Sequence, residues 1–220
     1  MHLSLCICAL VPRITLRTRL LLLLHQLEEG KPTNTGQLAA RCLSNSAVIA
    51  QGGVGASTLW QGTQPVLLYP HEDARPLAAW RDHPLPITLV VPDGTWRQAN
   101  KARRRVDGLS DLPCVVVPSE TRSRYRLRHA ATPDRLSTME AVAVAMGILE
   151  GPEVEQQLQR ILHIMVERTL WTNGRIRAEE VTGGIPPGVR PHDPWSGTAA
   201  DGRPSSSSGG RPPGAASAGE

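Results

Sequence analysis

Short runs of Leu, Val and Ile punctuate the first half of the chain at residues 19–25, 47–50, 66–69, 87–91 and 114–117. None alternates with polar residues, so each predicts a strand covered on both faces, as in the interior of a parallel sheet. The stretches between them, 33–43, 73–80 and 95–106, are long enough for helices. Strand and helix in alternation predict an α/β domain with a mostly parallel sheet and flanking helices.

The pattern changes in the third quarter. Ser137-Thr138-Met139-Glu140 has capping-box spacing, in which the serine hydroxyl takes an orphan N–H and the glutamate reaches back. The nearly continuous apolar stretch 141–149 that follows predicts a buried helix, ended by Gly151-Pro152. A second helix is expected over 153–172, with Val154, Leu158, Ile161, Leu162, Met165 and Thr169 on one stripe and Asn173-Gly174 as its stop. From residue 183 onward Gly, Pro and Ser fill more than half the positions, too few apolar side chains to offset the entropy of ordering the backbone. The expected organisation is one folded domain, 1–182, and a disordered tail, 183–220. The apolar run 20–24 is far shorter than the ~20 residues a bilayer requires, so no membrane partner is expected.

Charge sharpens this picture. The net charge is +4, and all but two of the 24 basic residues are Arg, the exceptions being Lys31 and Lys101. A guanidinium fork matches phosphate and stacks on bases, which suits a nucleic-acid partner; a GC-rich genome would also raise the Arg count. Position matters more than number. Between residues 97 and 128, Arg97, Lys101, Arg103, Arg104, Arg105, Arg122, Arg124, Arg126 and Arg128 face only Asp107, Asp111 and Glu120. In 122–128 the basic residues alternate, so an extended chain would set four guanidiniums on one side. Such a row could protect a sheet edge, but its lack of acidic partners favours phosphate contact.

Other candidate chemistry is weaker. Gly30-Lys31-Pro32-Thr33 lacks the earlier glycine of a P-loop, and Gly52-Gly53-Val54-Gly55 lacks the continuation of a dinucleotide fingerprint. Cys6-Ile7-Cys8 is half of a metal site with no second pair, so no metal is expected, zinc included. Cys42 and Cys114 fall in predicted core elements. Four scattered cysteines without a signal peptide suit a reducing, cytoplasmic setting.

Asp93-Gly94-Thr95-Trp96 follows the most apolar strand and opens the basic helix. The carboxyl ends of parallel strands are where α/β proteins place ligands. The competing interpretation is purely structural, with Asp93 or Thr95 capping the helix and Trp96 packing on the sheet.

At these residues the sequence resembles the DTW domain family, whose members are tRNA-uridine aminocarboxypropyltransferases. Four stretches carry the likeness: 93–99 with Asp-Gly-Thr-Trp, 31–39 with Asn34-Thr35-Gly36, 125–128 with Tyr125-Arg126-Leu127-Arg128, and 136–141 with Leu136-Ser137-Thr138. The resemblance implies a SPOUT-like fold with a knotted cofactor site. It also implies transfer of the 3-amino-3-carboxypropyl group of S-adenosylmethionine to N3 of a tRNA uridine, releasing methylthioadenosine. Family members often carry an earlier cysteine pair, which has no counterpart before Cys6. The expected roles are Asp93 as the base for the N3 proton, its affinity for that proton raised by partial burial beside Trp96, with Thr95 beside it. Trp96 and Thr35 would hold the transferred arm, and Leu136 and Ser137 the adenosine. Trp96 or Tyr125 would stack the uridine, and the basic residues 97–105 and 122–128 named above would grip the RNA backbone. The alternatives are a SPOUT-like methyltransferase and a non-catalytic RNA-binding module.

Overall fold

The computed structural model describes residues 5–31, 33–50, 60–106, 108–118, 123, 125–127 and 136–191. In chain order the elements are β1 (Arg19–Leu24), α1 (Thr35–Cys42), β2 (Ser46–Ala50), β3 (Gln64–Leu68), β4 (Arg75–Pro76), β5 (Ile87–Asp93), α2 (Trp96–Arg105), β6 (Cys114–Val116), α3 (Thr138–Glu150) and α4 (Pro152–Thr172). The strands form one sheet in the order β2-β1-β5-β3-β6-β4, and every pairing is parallel.

Both faces of the central strands are buried, as their unbroken apolar runs require. In β1, Leu20 and Leu22 join the larger core while Leu21 and Leu23 join the smaller one on the opposite face. The larger core is closed by α1, α3 and α4, through residues such as Leu38, Met139, Met146, Leu158 and Met165. The smaller is closed by Leu109, Val106, Leu112 and Trp60. Helix α3 lies between sheet and α4. At Gly147 an added Cβ would sit 2.8 Å from the Glu155 Cβ, so only glycine lets the two helices approach this closely. The far end of α3 is tied to the start of β1, where the Thr18 N–H donates to Glu150 Oε1 at 2.6 Å.

The helix expected over 73–80 is not formed. Arg75–Pro76 is a short edge strand on β6, and a 3-10 turn follows over Leu77–Trp80. The reason is local: Pro76 holds Arg75 out of the helical region and has no N–H to continue a helix.

Residues 183–191, the first part of the stretch expected to be a tail, are described, and Ile185 and Val189 pack against the cluster of Leu5, Trp171 and Val181. Residues 192–220 lie outside the described residues. Among the described residues no helix is long and apolar enough to cross a membrane.

Candidate functional site

Parallel strands leave a crevice at their carboxyl ends, and here three helices begin beside it. A cavity of about 810 Å3 is lined by strand ends (Leu68, Tyr69, Val91, Asp93, Val115–Val117), by the first residues of α1, α2 and α3 (Thr35, Trp96, Thr138), and by Tyr125 and Leu127. All four sequence stretches that carry the family resemblance therefore meet in one place. The volume suits a nucleoside-sized ligand, and the lining combines an apolar floor with a few polar groups.

Each helix start is fixed by its cap. Asn34 caps α1, its Oδ1 accepting the Gln37 N–H at 2.7 Å. Thr95 caps α2 in a full capping box with Gln98, whose Nε2 also lies 3.2 Å from His25 Nδ1 at the end of β1. Ser137, fully buried, caps α3 in a second capping box with Glu140. The buried Glu140 carboxylate accepts the Ser137 N–H and, at 2.9 Å, the Ser123 hydroxyl, which brings the segment leading to Tyr125 against α3.

Asp93 ends β5 and is only 4% exposed. Its Oδ2 accepts from Asn34 Nδ2 at 2.7 Å and its Oδ1 from Thr138 Oγ1 at 2.5 Å. A Cβ on Gly36 would stand 2.8 Å from the Asp93 Cγ, so glycine there makes room for the carboxylate. These surroundings differ from the expected ones. The acid is almost wholly buried rather than partly, and Asn34, Gly36 and Thr138 pack around its carboxylate. The Trp96 indole is instead half exposed and tilts against Tyr69, ring centroids 6.0 Å apart.

Thr35, Thr95, Leu136 and Ser137 line the cavity, and the Ser137 hydroxyl accepts the Glu140 N–H as its cap. Arg97 reaches the cavity rim, and Lys101, Arg104 and Arg105 are exposed along α2, with Arg103 partly so. Among the described residues none of these five forms an ion pair. The extended row expected over 122–128 is broken at Arg126 and Leu127, which lie in a turn with Arg126 exposed and Leu127 on the cavity. Arg122, Arg124 and Arg128 lie outside the described residues. Sequence reasoning missed Tyr69, Asn34 and Thr138. For Asn34 a signal is present, since Asn is a strong N-cap and would start the helix at Thr35 rather than at 33.

The cysteine half-site stands apart from the cavity. Cys6 and Cys8 are exposed, their sulfurs 2.7 Å apart, and among the described residues no third His, Cys, Asp or Glu joins them closely enough to complete a metal site. The Cys8 thiol is pushed up by its hydrogen bond with Cys6 and then by burial. Beneath them the buried Arg168 guanidinium donates to the Leu5 and Cys6 carbonyls, and burial pulls its proton affinity down.

Comparison with known proteins places the chain. A family model described as the DTW domain matches residues 1–170. The chain belongs to the DTW domain family. Its curated relatives include tRNA-uridine aminocarboxypropyltransferase 2 of Macaca fascicularis, 29% identical over 185 residues, which cover 78% of this chain and 62% of that protein. The Mus musculus protein of the same name is 30% identical with the same coverage, and the Drosophila melanogaster protein is 37% identical over 114 residues, 51% of this chain and 45% of that one. The chain thus spans about three fifths of the length of the two mammalian relatives. Among solved structures, the SAM-dependent rRNA:acp-transferase Tsr3 from Vulcanisaeta distributa is similar with a TM-score of 0.48 and 19% identity, over 80% of this chain and 86% of that one. In this DTW-domain chain Asp93, Gly94, Thr95 and Trp96 all line the cavity.

Proposed function

We propose that this DTW domain binds S-adenosylmethionine in the cavity and transfers its 3-amino-3-carboxypropyl group to N3 of a uridine in tRNA. The observation that carries this is the convergence of four distant sequence segments on one cavity beside a basic helix whose cations form no ion pair among the described residues. In the reaction the N3–carbon bond forms as the carbon–sulfur bond breaks, the electron pair goes to sulfur, and methylthioadenosine leaves. The N3 proton is lost to Asp93 or to water at the cavity mouth, two routes that an Asp93 variant separates. Because three carbons on the sulfonium can be attacked, placement of the longer arm in line with N3 decides the product.

The residues fit the donor. Leu68, Val91, Val115, Leu127 and Leu136 offer an apolar surface for the adenine, with Ser137 near the ribose. Thr35 and Trp96, at two helix starts, are assigned to the amino-acid arm, whose carboxylate is favoured by the positive ends of helix dipoles. Thr95 fixes the start of α2 that carries Trp96. For the acceptor, the exposed Trp96 with Tyr69, or Tyr125, provides a face on which a splayed uridine can stack. Arg97, Lys101, Arg103–Arg105 and Arg126, together with Arg122, Arg124 and Arg128, are assigned to the RNA backbone. This work belongs to the cytoplasm and needs no resident metal in our reading.

The test is incubation with unmodified tRNA and S-adenosylmethionine labelled in the methionine carboxylate, followed by nucleoside mass mapping. Label in uridine, with methylthioadenosine as coproduct, is the expected result. Incorporation of a methyl label instead would make the protein a methyltransferase. RNA binding with no incorporation of either label would leave a non-catalytic binding module.

A further inference from the structure

We infer that Asp93 is a positioning residue, a latch joining the three segments that build the donor site, and that it does not take the proton from N3. The inference rests on the reading of the cavity as the donor site. Its basis is the surroundings of one carboxylate. On one side Asn34 Nδ2 donates to Oδ2, and on another Thr138 Oγ1 donates to Oδ1. Behind it the space a Gly36 side chain would need is filled by the acid itself. The main chain is held too, with the His25 N–H donating to the Asp93 carbonyl at 3.3 Å.

The orientation of Asn34 is not free. Its Oδ1 is used by the Gln37 N–H, so its Nδ2 must face Asp93 and its amide cannot turn over without uncapping α1. Asp93 therefore connects the cap of α1, the end of β5 and the first residue of α3. Thr35, Trp96, Leu136 and Ser137, which are assigned to the donor, each lie within three residues of one of these anchor points. A general base must come within about 2.6–3.2 Å of the proton it takes. An acid with 4% of its surface exposed and a donor on each oxygen is built for holding rather than for meeting a bulky base. The N3 proton then passes to water at the cavity mouth.

The hydrogen-bond inventory supplies a discriminating variant. In Asp93→Asn the new amide can keep its oxygen toward Asn34 and turn its NH2 toward Thr138, whose hydroxyl can accept as well as donate. Both links survive, but the carboxylate that could accept a proton is gone. We expect Asp93→Asn to bind S-adenosylmethionine by calorimetry with at most a few-fold loss. Its transfer rate should fall by no more than about tenfold, with the pH profile keeping its wild-type shape. Asp93→Ala and Thr138→Val, which break the links, should each weaken donor binding by about tenfold or more. Loss of a general base typically costs ~10²–10⁴-fold. A folded Asp93→Asn that binds the donor normally yet loses rate on that scale, together with the limb of the pH profile, overturns the latch. If Asp93→Asn does not fold, Thr138→Val and Asn34→Ala decide: donor affinity within about twofold of wild type in either one overturns it. A wild-type protein that binds the donor but modifies no RNA sinks the proposed reaction alone, since the binding measurements still judge the latch. One that binds no donor sinks both.

Discussion

Helices α2 and α3 start in the same way and then part company. Each opens with a hydroxyl cap and a reciprocal side chain three residues on, Thr95 with Gln98 and Ser137 with Glu140, and each aims its first turn at the same cavity. Along their length α3 buries Met139, Val142, Ala143, Ala145 and Met146, whereas α2 buries only Ala99 and Ala102 and carries Arg97, Lys101, Arg103, Arg104 and Arg105. A cap thus sets where a helix begins, and the body of the helix sets what it is for. The apolar body wedges α3 into the core between sheet and α4. The polar body leaves α2 resting on two small alanines, and among the described residues its cations form no ion pair.

The largest expected effect comes from breaking the packed member of the pair. Met146 is fully buried between the sheet and α4, so Met146→Ala removes packing and leaves a cavity at a cost of roughly 2–5 kcal/mol. The matching change on α2, Arg104→Ala, should stay within about 0.5 kcal/mol of wild type, since nothing is buried there. Urea denaturation of the two variants checks the contrast, and similar midpoints would erase it.

How much of this is legible in the sequence follows the same division. The strands at 19–24 and 87–93 and the capped α3 are written in the chain because burial on both faces demands unbroken apolar runs and a capping box has a fixed spacing. The edge strand at Arg75–Pro76 reads as helix in the sequence because a two-residue pairing leaves no periodicity to find, although Pro76 is a warning. For the site, Asp93, Thr95, Trp96, Thr35 and Leu136 stand out in the sequence and do line one cavity. The partners of Asp93 do not, because Asn34 and Thr138 are 59 and 45 residues away and only the strand order brings them together. Tyr69 escapes for the same reason: it follows β3, and nothing local shows that β3 lies beside β5.

The next effect belongs to α2. Replacing Arg97, Lys101 and Arg104 together by Ala should leave the folding midpoint nearly unchanged and weaken tRNA binding by roughly tenfold or more at moderate salt, if each meets a phosphate. The slope of log affinity against log salt should shrink by about 0.7–0.9 for each phosphate that is no longer neutralised. Filter binding across a salt series measures it, and an unchanged slope would remove α2 from the RNA surface.

The caps should differ less. Removing either hydroxyl leaves an N–H unsatisfied, at about 0.5–2 kcal/mol. Ser137 is fully buried and Thr95 is exposed, so water can replace the missing partner only at Thr95. Ser137→Ala should therefore be the more destabilising by denaturant midpoint, and the reverse order would mean that α2 is held more tightly than its packing suggests.

The smallest effect reads the same contrast through sulfur. Cys42, at the end of α1, sits in the core that α3 closes, and burial pushes its thiol up to about 12, while Cys6 and Cys8 lie at the surface. Only the thiolate attacks a disulfide reagent, so at pH 8 the surface pair should react promptly and Cys42 only after unfolding. The sign of the pH effect follows from linkage. Above the ordinary thiol value near 9 the unfolded chain releases the Cys42 proton while the folded one keeps it, so the folded state loses ground as pH rises from there toward 12. At pH 10 the loss should be about 1 kcal/mol relative to pH 8, measured as the difference between wild type and Cys42→Ala, which has no such proton to lose. Met146→Ala, by loosening the core that encloses this thiol, should raise its reactivity toward that of the surface pair. If Cys42 reacted as fast as Cys6 and Cys8 in the intact wild type, α3 would not be the closed wall that its sequence and packing describe.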